Sequence, residues 1–542
     1  MKLRPYQADI PPQVHAAWQT IDNALVVLPT GAGKTVTFSS IVHHHVGASC
    51  SIAHRQELVS QISVALAREG VRHRIIGPRS IIQNIVHLHI DELGRSYYDP
   101  QSLQAVAGVD TLVRRYDELK DWLKQVTLVI QDEAHHVLKN NKWGKAISYF
   151  PNAKVLGVTA TPLRADGKGL GMHVDGIFQE LIVGPDMRWL INNKYLTEYR
   201  VFAPPNDLRL DDVEIGSTGD YKPKQLSAAV ERSHIIGDVV EQYLKIARGK
   251  IGITFAPDVK IATDIAAQYN AAGVPAEVLS AKTDDRVRAN CTKRLKNREL
   301  LQLVNVDLFG EGYDLPAIEV VSMARPTESY GLFVQQFGRG LRIMEGKTEA
   351  IIIDHVGNCM RHGLPDAPRE WTLNRRERRG KSAAIIPVRT CQHCTAVYER
   401  IYNRCPYCHH VPHYAGGGNR NIEFVDGDLC ELDPAKLAEM RGEIARIDGP
   451  ANYSHLGGAA RGGAEKQHRL RQHMQQQLRD SISQWAGYHK HHGRSLSEQY
   501  RRFFFRFGTD VATAQTLGRR EAEELKALID TDIQEMHDGL MQ

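Results

Sequence analysis

Long apolar runs are missing from this chain. No stretch of its 542 residues approaches the ~18 consecutive apolar positions that a membrane-spanning helix needs, so no membrane partner is expected. The opening residues, MKLRPYQADI, contain no apolar signal core, which argues against secretion. Cysteine is scarce: eight residues are too few for a disulfide scaffold. Four of the eight are clustered, a pattern of metal binding in a reducing compartment, and a cytoplasmic location is expected. Net charge is small as well. At +5 it gives no bulk argument for nucleic acid. What remains, 42% hydrophobic and 24% charged, is the composition of ordinary globular protein, long enough for three or four domains of roughly 150 residues.

The charge that is present is unevenly placed. Residues 369–410 carry nine Lys/Arg against three Glu, and residues 461–507 carry ten against three acidic residues. Such patches suit phosphate neutralisation or an ordinary solvated surface, and charge alone does not choose between them.

The chain is organised around LPTGAGKT, residues 28–35, which follows the apolar run 24–28 and precedes a helix-like stretch. Strand, glycine-rich turn and helix are the context of a phosphate-binding loop. Gly31 and Gly33 let backbone N–H groups turn toward an anion, and Lys34 can reach the β- and γ-phosphates. The Thr35 hydroxyl can hold Mg²⁺. Leu28 stands where the strict pattern has glycine. Pro29, Thr30, Gly31, Ala32, Gly33, Lys34 and Thr35 are therefore the expected ATP contacts. About 100 residues on, TLVIQDEAHH ends a hydrophobic strand in Asp132 and Glu133. Asp132 can share the Mg²⁺, and Glu133 can orient or deprotonate a water, with His135 close in sequence.

The order LPTGAGKT, DEAH, TAT (159–161) resembles motifs I, II and III of superfamily 2 helicases, which tolerate a non-glycine at position 28. KLRPYQ at 2–7 resembles the adenine-reading segment of the XPB and RadD branch, which implies that Gln7, with Arg4 beside it, meets the base. IAHRQELVSQ (52–61) and GVDTLVRR (108–115) resemble the backbone-contact motifs, giving Arg55 and Thr111 as DNA contacts. The resemblance implies that Thr159, Ala160 and Thr161 couple hydrolysis to strand movement. LRADGKG, with Arg164 and Asp166, is a degenerate match to the charged motif that follows TAT in XPB-like proteins. LVNVDLFGEGYDLP (303–316) resembles motif V, with Gly312 and Asp314 at the nucleotide and domain interface. VQQFGRGLR (334–342) resembles motif VI, giving Gln335, Gly338, Arg339 and Arg342. Two arginines three residues apart on a helix face one way. Supplied by a second domain, they would make hydrolysis depend on cleft closure, with Arg342 as the finger.

The expected fold class is α/β: two tandem RecA-like parallel-sheet domains, then a small zinc ribbon and a C-terminal helical region. Strands alternating with helices support the first part. The expected boundaries are 1–197 for the ATP-binding domain, 198–235 for a Pro/Gly/Asp-rich connector, and 236–372 for the second helicase domain. A zinc ribbon at 385–414, a flexible linker at 415–464 and a helical domain at 465–542 complete the chain. The ribbon rests on CQHCTAVYERIYNRCPYC. Cys391, Cys394, Cys405 and Cys408 form two C-x-x-C pairs that suit tetrahedral, structural Zn²⁺. Tyr398, Arg400, Tyr402, Arg404 and Tyr407 either stack on bases or pack the ribbon. Cys50, Cys291, Cys359 and Cys430 are expected in cores. Ser495 to Glu498 matches a capping box. Beyond it Tyr500, Phe503, Phe504 and Phe507 make an apolar helix face, with Arg501, Arg502 and Arg506 off that stripe.

The implied function is ATP-driven movement on, or unwinding of, DNA in repair, recombination or replication, with single-stranded or branched DNA and ATP as partners. The alternatives are an RNA helicase, a remodeller or switch without strand separation, and a restriction motor. The motif Ia sequence AHRQEL differs from the PTREL of DEAD-box RNA helicases, and no nuclease motif is apparent.

Overall fold

The computed structural model describes residues 3–538 apart from 217, 307–317, 376–385, 387, 401, 403, 412–457, 515 and 516. It divides into two compact units. The first comprises the described residues up to Asp366 together with 370–375, and the second comprises 367–369 and those from 386 onward.

The first unit holds two parallel sheets, here called lobes. In the first lobe the strands are β1 (Asn23–Val27), β2 (Ala48–Ala53), β3 (Arg74–Ile76), β4 (Gln104–Gly108), β5 (Val126–Asp132), β6 (Lys154–Thr159) and β7 (Glu180–Val183). Their order is β3-β4-β2-β5-β6-β1-β7, with every pairing parallel. β2 is buried throughout, and β5 and β6 nearly so, as expected of strands covered on both faces. Their apolar side chains form one core with Trp122, Phe150 and Phe178.

This order explains why distant motifs meet. β1, β6 and β5 are consecutive neighbours, so the loops leaving their carboxyl ends share one edge of the sheet. Those loops are the glycine-rich turn, TAT and DEAH. The segments after β2 and β4, also neighbours, place Arg55, the N-cap of the helix Gln56–Arg68, and Thr111 on the same edge.

The second lobe contains β8 (Glu198–Phe202), β9 (Gly252–Phe255), β10 (Ala276–Ser280), β11 (Gln302–Val306), β12 (Val320–Met323) and β13 (Glu349–Asp354), ordered β10-β11-β9-β12-β13-β8 and again parallel. Three boundaries differ from expectation. The connector 198–235 is not irregular: it supplies edge strand β8, paired along β13, and a helix, Pro223–Glu231. Its Pro, Gly and Asp residues fall between these elements and hide them. The second lobe does not run intact to 372 either. Residues 373–375 return to the first lobe, where Gly171 N donates to Leu373 O (2.9 Å) and Arg375 pairs with Asp175 (2.6 Å). In the second unit, a helix begins at Gly458, inside the expected flexible linker. Alanines and long polar residues in the sequence after Gly458 favour a helix, and they lead into turns that are packed.

That second unit pairs β14 (Val388–Thr390) antiparallel with β15 (Val397–Glu399), and adds helices Gly458–His491, Leu496–Phe507, Val511–Ala514 and Arg519–Asp538. Trp485, Phe503, Leu525 and Ile529 lie in their shared core. The Ser495–Glu498 capping box is present. Among the described residues no helix is long and apolar enough to cross a membrane.

Candidate nucleotide site and metal centre

The glycine-rich loop leaves β1 and enters the helix Lys34–His44 through Gly33, whose φ of +80° only glycine adopts readily. A Cβ there would also lie 2.4 Å from Gln7 Nε2. Gln7 is tied under the loop: its Nε2 donates to Ala32 O (2.9 Å) and its Oε1 accepts from Arg4 N (2.9 Å). Tyr6 OH donates to the same carbonyl at 2.8 Å.

Across the loop, Asp132 ends β5 and Glu133 follows with φ +48°, an uncommon conformation for a residue with a side chain. Lys34 Nζ lies 3.8 Å from Glu133 Oε1, and both side chains are largely buried. Burial first, and the neighbouring Glu133 second, push the Asp132 carboxyl above its ordinary range. Here two buried carboxylates face one ammonium.

From Glu133 a chain of contacts runs outward. Its Oε2 is 3.4 Å from His135 Nδ1, which is 3.0 Å from Thr159 Oγ1. Thr159 Oγ1 also donates to Thr161 O (3.0 Å). Arg164 Nη1 donates to His135 O (2.9 Å), and its other nitrogens pair with Asp166 (2.9 and 2.7 Å). Thr161 faces the second lobe: a Cβ on Gly331 would lie 3.1 Å from Thr161 Oγ1.

The second lobe closes the site with the helix Tyr330–Gly338. Gln335 and Arg339 are buried. The helix stops at Gly338, so Arg339 and Arg342 do not share a helix face as expected. Arg339 is its C-cap, and Arg342 lies in the following turn. Glycine at 338 and 340 lets the backbone come close to neighbouring side chains. A Cβ at 338 would meet Thr30, and one at 340 would meet Ile352, Val321 and Ala350. The turn is held by Lys347, whose ammonium donates to the carbonyls of Gly340, Arg342 (3.0 Å) and Ile318 (2.7 Å).

Both arginines nevertheless face one cleft of about 340 Å³, within the range of small-ligand sites. From the first lobe it is lined by Arg4, Thr30, Gly31, Gly33, Lys34, Thr35, Asp132 and Glu133, and from the second by Gln335, Arg339 and Arg342. Gln7, Pro29, Ala32 and His135 stand behind that wall. Gly312 and Asp314 lie outside the described residues. Tyr195, Leu196, Leu58, Gln61 and Ile343 also line the cleft. No motif marks Tyr195. Its ring lies 5.2 Å from the Arg4 guanidinium, a pair suited to a flat aromatic ligand.

The site fits a magnesium nucleotide. The Thr30 hydroxyl is buried without a hydrogen-bond partner, Arg4, Lys34, Arg339 and Arg342 outnumber the two carboxylates and suit a polyanion, and Thr35 and Asp132 offer oxygen ligands for its cation.

In the second unit the four cysteine sulfurs lie within 4.8 Å of one another. Cys391 and Cys408 are 3.6 Å apart, Cys394 and Cys405 3.7 Å. Sulfurs 2.3 Å from a tetrahedral metal are about 3.8 Å apart, so the geometry fits Zn²⁺. The aromatic and basic residues of the ribbon divide. Tyr398 is buried, whereas Arg404 and Tyr407 are exposed. On the helix Leu496–Phe507, Arg501 pairs with Glu399 of the ribbon (2.5 Å), both buried, and Arg506 with Asp532 (2.6 Å). These arginines serve internal ion pairs.

Comparison with known proteins supplies the family. The model described as "Type III restriction enzyme, res subunit" matches residues 1–164, and "Helicase conserved C-terminal domain" matches 236–344. A Lactococcus phage protein called the 51.5 kDa protein is 30% identical over 391 residues, 71% of this chain and 77% of that one. The chain belongs to the superfamily 2 helicases. Within that family it is of the XPB and RadD-like kind, an ATP-hydrolysing enzyme acting on nucleic acid. A Saccharomyces cerevisiae protein provisionally named ATP-dependent helicase IRC3 is 28% identical, across 66% of the helicase described here and 51% of its own length. The Sulfurisphaera tokodaii DNA 3'-5' translocase XPB2 is 24% identical, across 66% and 82%. The match thus spans only about half of the yeast relative.

Proposed function

We propose that the helicase couples ATP hydrolysis in this cleft to movement along DNA. The observation that carries the proposal is the composition of the cleft: phosphate loop and carboxylates from one lobe, two arginines from the other. Lys34 and the loop N–H groups hold the phosphates, and Arg4 with Tyr195 flanks the base. Mg²⁺, when bound by Thr35 and Asp132, neutralises phosphate charge. Glu133, held by Lys34 and His135, orients the attacking water and takes its proton. Arg339 and Arg342 stabilise charge spreading over the γ-phosphate oxygens. Because they belong to the second lobe, hydrolysis requires the lobes to be together. Thr159, Ala160 and Thr161, between Glu133 and Gly331, pass that requirement to the second lobe.

Arg55 and Thr111, on the sheet edge that carries the loop, are the proposed strand contacts. The printed name of the archaeal relative, a DNA translocase, favours DNA over RNA. Zn²⁺ on the four cysteines is structural, since four thiolates leave no open position. Such a thiolate site suits the reducing cytoplasm.

Two substrates test the proposal. A forked duplex reports strand separation, and streptavidin on a biotinylated single strand reports movement without it. ATP-dependent displacement of streptavidin, abolished in Lys34→Ala, is the expected result. No displacement from DNA, with displacement from RNA, overturns the choice of DNA. The name of the N-terminal family model gives a second candidate, a restriction motor. DNA cleavage by the purified chain with a partner nuclease would favour it.

A further inference from the structure

The connector between the lobes contains a hairpin with a job of its own. Residues 214–216 and 218–222 pair with one another. Gly216 N donates to Asp220 O (2.8 Å), Lys222 N donates to Glu214 O (2.8 Å), and Ile215 bridges Tyr221. Val213, Leu226 and Ala229 form a small apolar cluster against which Tyr221 packs, so the hairpin is anchored.

Its two sides touch different lobes. On one side Gly219, at φ +82°, presses on the segment after TAT: a Cβ would lie 2.1 Å from Ala165 O and 2.8 Å from Asp166 N. No side chain larger than hydrogen fits. That segment is bonded to the DEAH turn through Arg164 and His135 O (2.9 Å). On the other side Asp220 receives Glu328 N (2.7 Å) and Thr327 Oγ1 (3.0 Å), and Tyr221 OH donates to Glu328 Oε1 (2.7 Å). Thr327 Oγ1 accepts in turn from Ser329 N (3.0 Å), and Ser329 caps the helix Tyr330–Gly338, which Arg339 follows. Arg361, paired with Glu328 (3.1 Å), closes the cluster.

We propose that this hairpin is a positioning element for ATP hydrolysis: through Gly219 and Asp220 it fixes the arginine-bearing helix of the second lobe relative to the DEAH segment of the first. Neither residue touches the nucleotide cleft. Each acts through another group, Gly219 through the Arg164 segment and Asp220 through the Ser329 cap. The proposal rests on the roles given above to Glu133 and the two arginines.

Three variants of the full chain test it, Gly219→Ala, Asp220→Ala and Asp220→Asn, each followed by kcat and KM for ATP and by thermal melting. Misplacing a catalytic group by about 1 Å costs up to roughly 100-fold. The expected result is therefore a fall in kcat of roughly 10- to 100-fold in Gly219→Ala and Asp220→Ala, with KM changed less than about twofold. Asp220→Asn keeps an acceptor for Glu328 N and should recover most of the rate. Should Gly219→Ala fail to fold, the Asp220 pair decides. An unchanged kcat in Asp220→Ala overturns the proposal. So does a joint loss of kcat, KM and melting temperature that Asp220→Asn does not rescue, because that is the mark of a merely structural contact. A wild-type chain without ATP turnover would instead overturn the proposed function.

Discussion

Gly338 of the second lobe approaches Thr30 of the phosphate loop so closely that a Cβ on it would lie 2.6 Å from the Thr30 methyl carbon. The absence of one side chain lets motif VI sit on motif I. Gly338→Val should hold the lobes apart while leaving the sequence of the loop unchanged. Isolated binding of a fluorescent ATP analogue should persist, while turnover falls about 100-fold, the scale on which misplaced catalytic groups lose rate. Equilibrium binding and steady-state turnover on the same preparation check this.

Glu133 is held by Lys34 on one side and His135 on the other. Glu133→Gln keeps the shape of the side chain and removes its capacity to take a proton. Turnover should fall by about 10²- to 10⁴-fold, the usual contribution of a positioned base, with ATP still bound. His135→Ala should fall less, since it only orients Glu133. Single-turnover hydrolysis of labelled ATP ranks the two.

Lys347 should impose a pH limit. Burial pushes its ammonium down to about 8 from 10.5. Its three donors meet three carbonyls, including that of Arg342. The charge is present below pH 8 and lost above it, and a neutral amine has only two donors. Turnover should thus decline as pH rises through about 8. In Lys347→Met that limb should disappear, with a uniformly lower rate. A pH–rate profile of both proteins from pH 6.5 to 9.5 makes the comparison.

The second unit has its own test in Arg501 and Glu399. Breaking a buried ion pair by removing one partner costs about 3–5 kcal/mol, because the other charge is left buried. Arg501→Met should therefore destabilise this unit by that amount, and Arg501→Met with Glu399→Gln should recover much of it. Elemental analysis of the same preparations should give about one zinc per chain. Zinc lost by chelation should lower the same thermal transition.

Much of the first unit was legible in the sequence, and for a physical reason. Phosphate-binding loops, strand-end carboxylates and paired arginines need particular residue types at fixed offsets, and these survive as strings. Lys34, Asp132, Glu133, Arg339 and Arg342 line one cleft as those strings imply. What was hidden depends on contacts between distant residues. Tyr195 has no motif because any flat ring in that place would serve. Strand β8 was missed because an edge strand inside a Pro- and Gly-rich segment shows little periodicity. Spacing alone puts the two arginines on one helix face, since it does not reveal that the helix stops at Gly338. Arg501 lies off the apolar stripe, which says nothing of burial. Its partner, Glu399, lies over a hundred residues earlier, and sequence gives no sign of the pairing.

The most direct test of the account is steady-state ATP turnover with no nucleic acid, single-stranded DNA, duplex DNA or RNA, for the wild type and for Arg342→Ala. The account predicts turnover raised at least about tenfold by DNA, a barrier lowered by about 1.4 kcal/mol, and abolished stimulation in Arg342→Ala. Turnover indifferent to DNA, stimulated only by RNA, or unaltered in Arg342→Ala would contradict it.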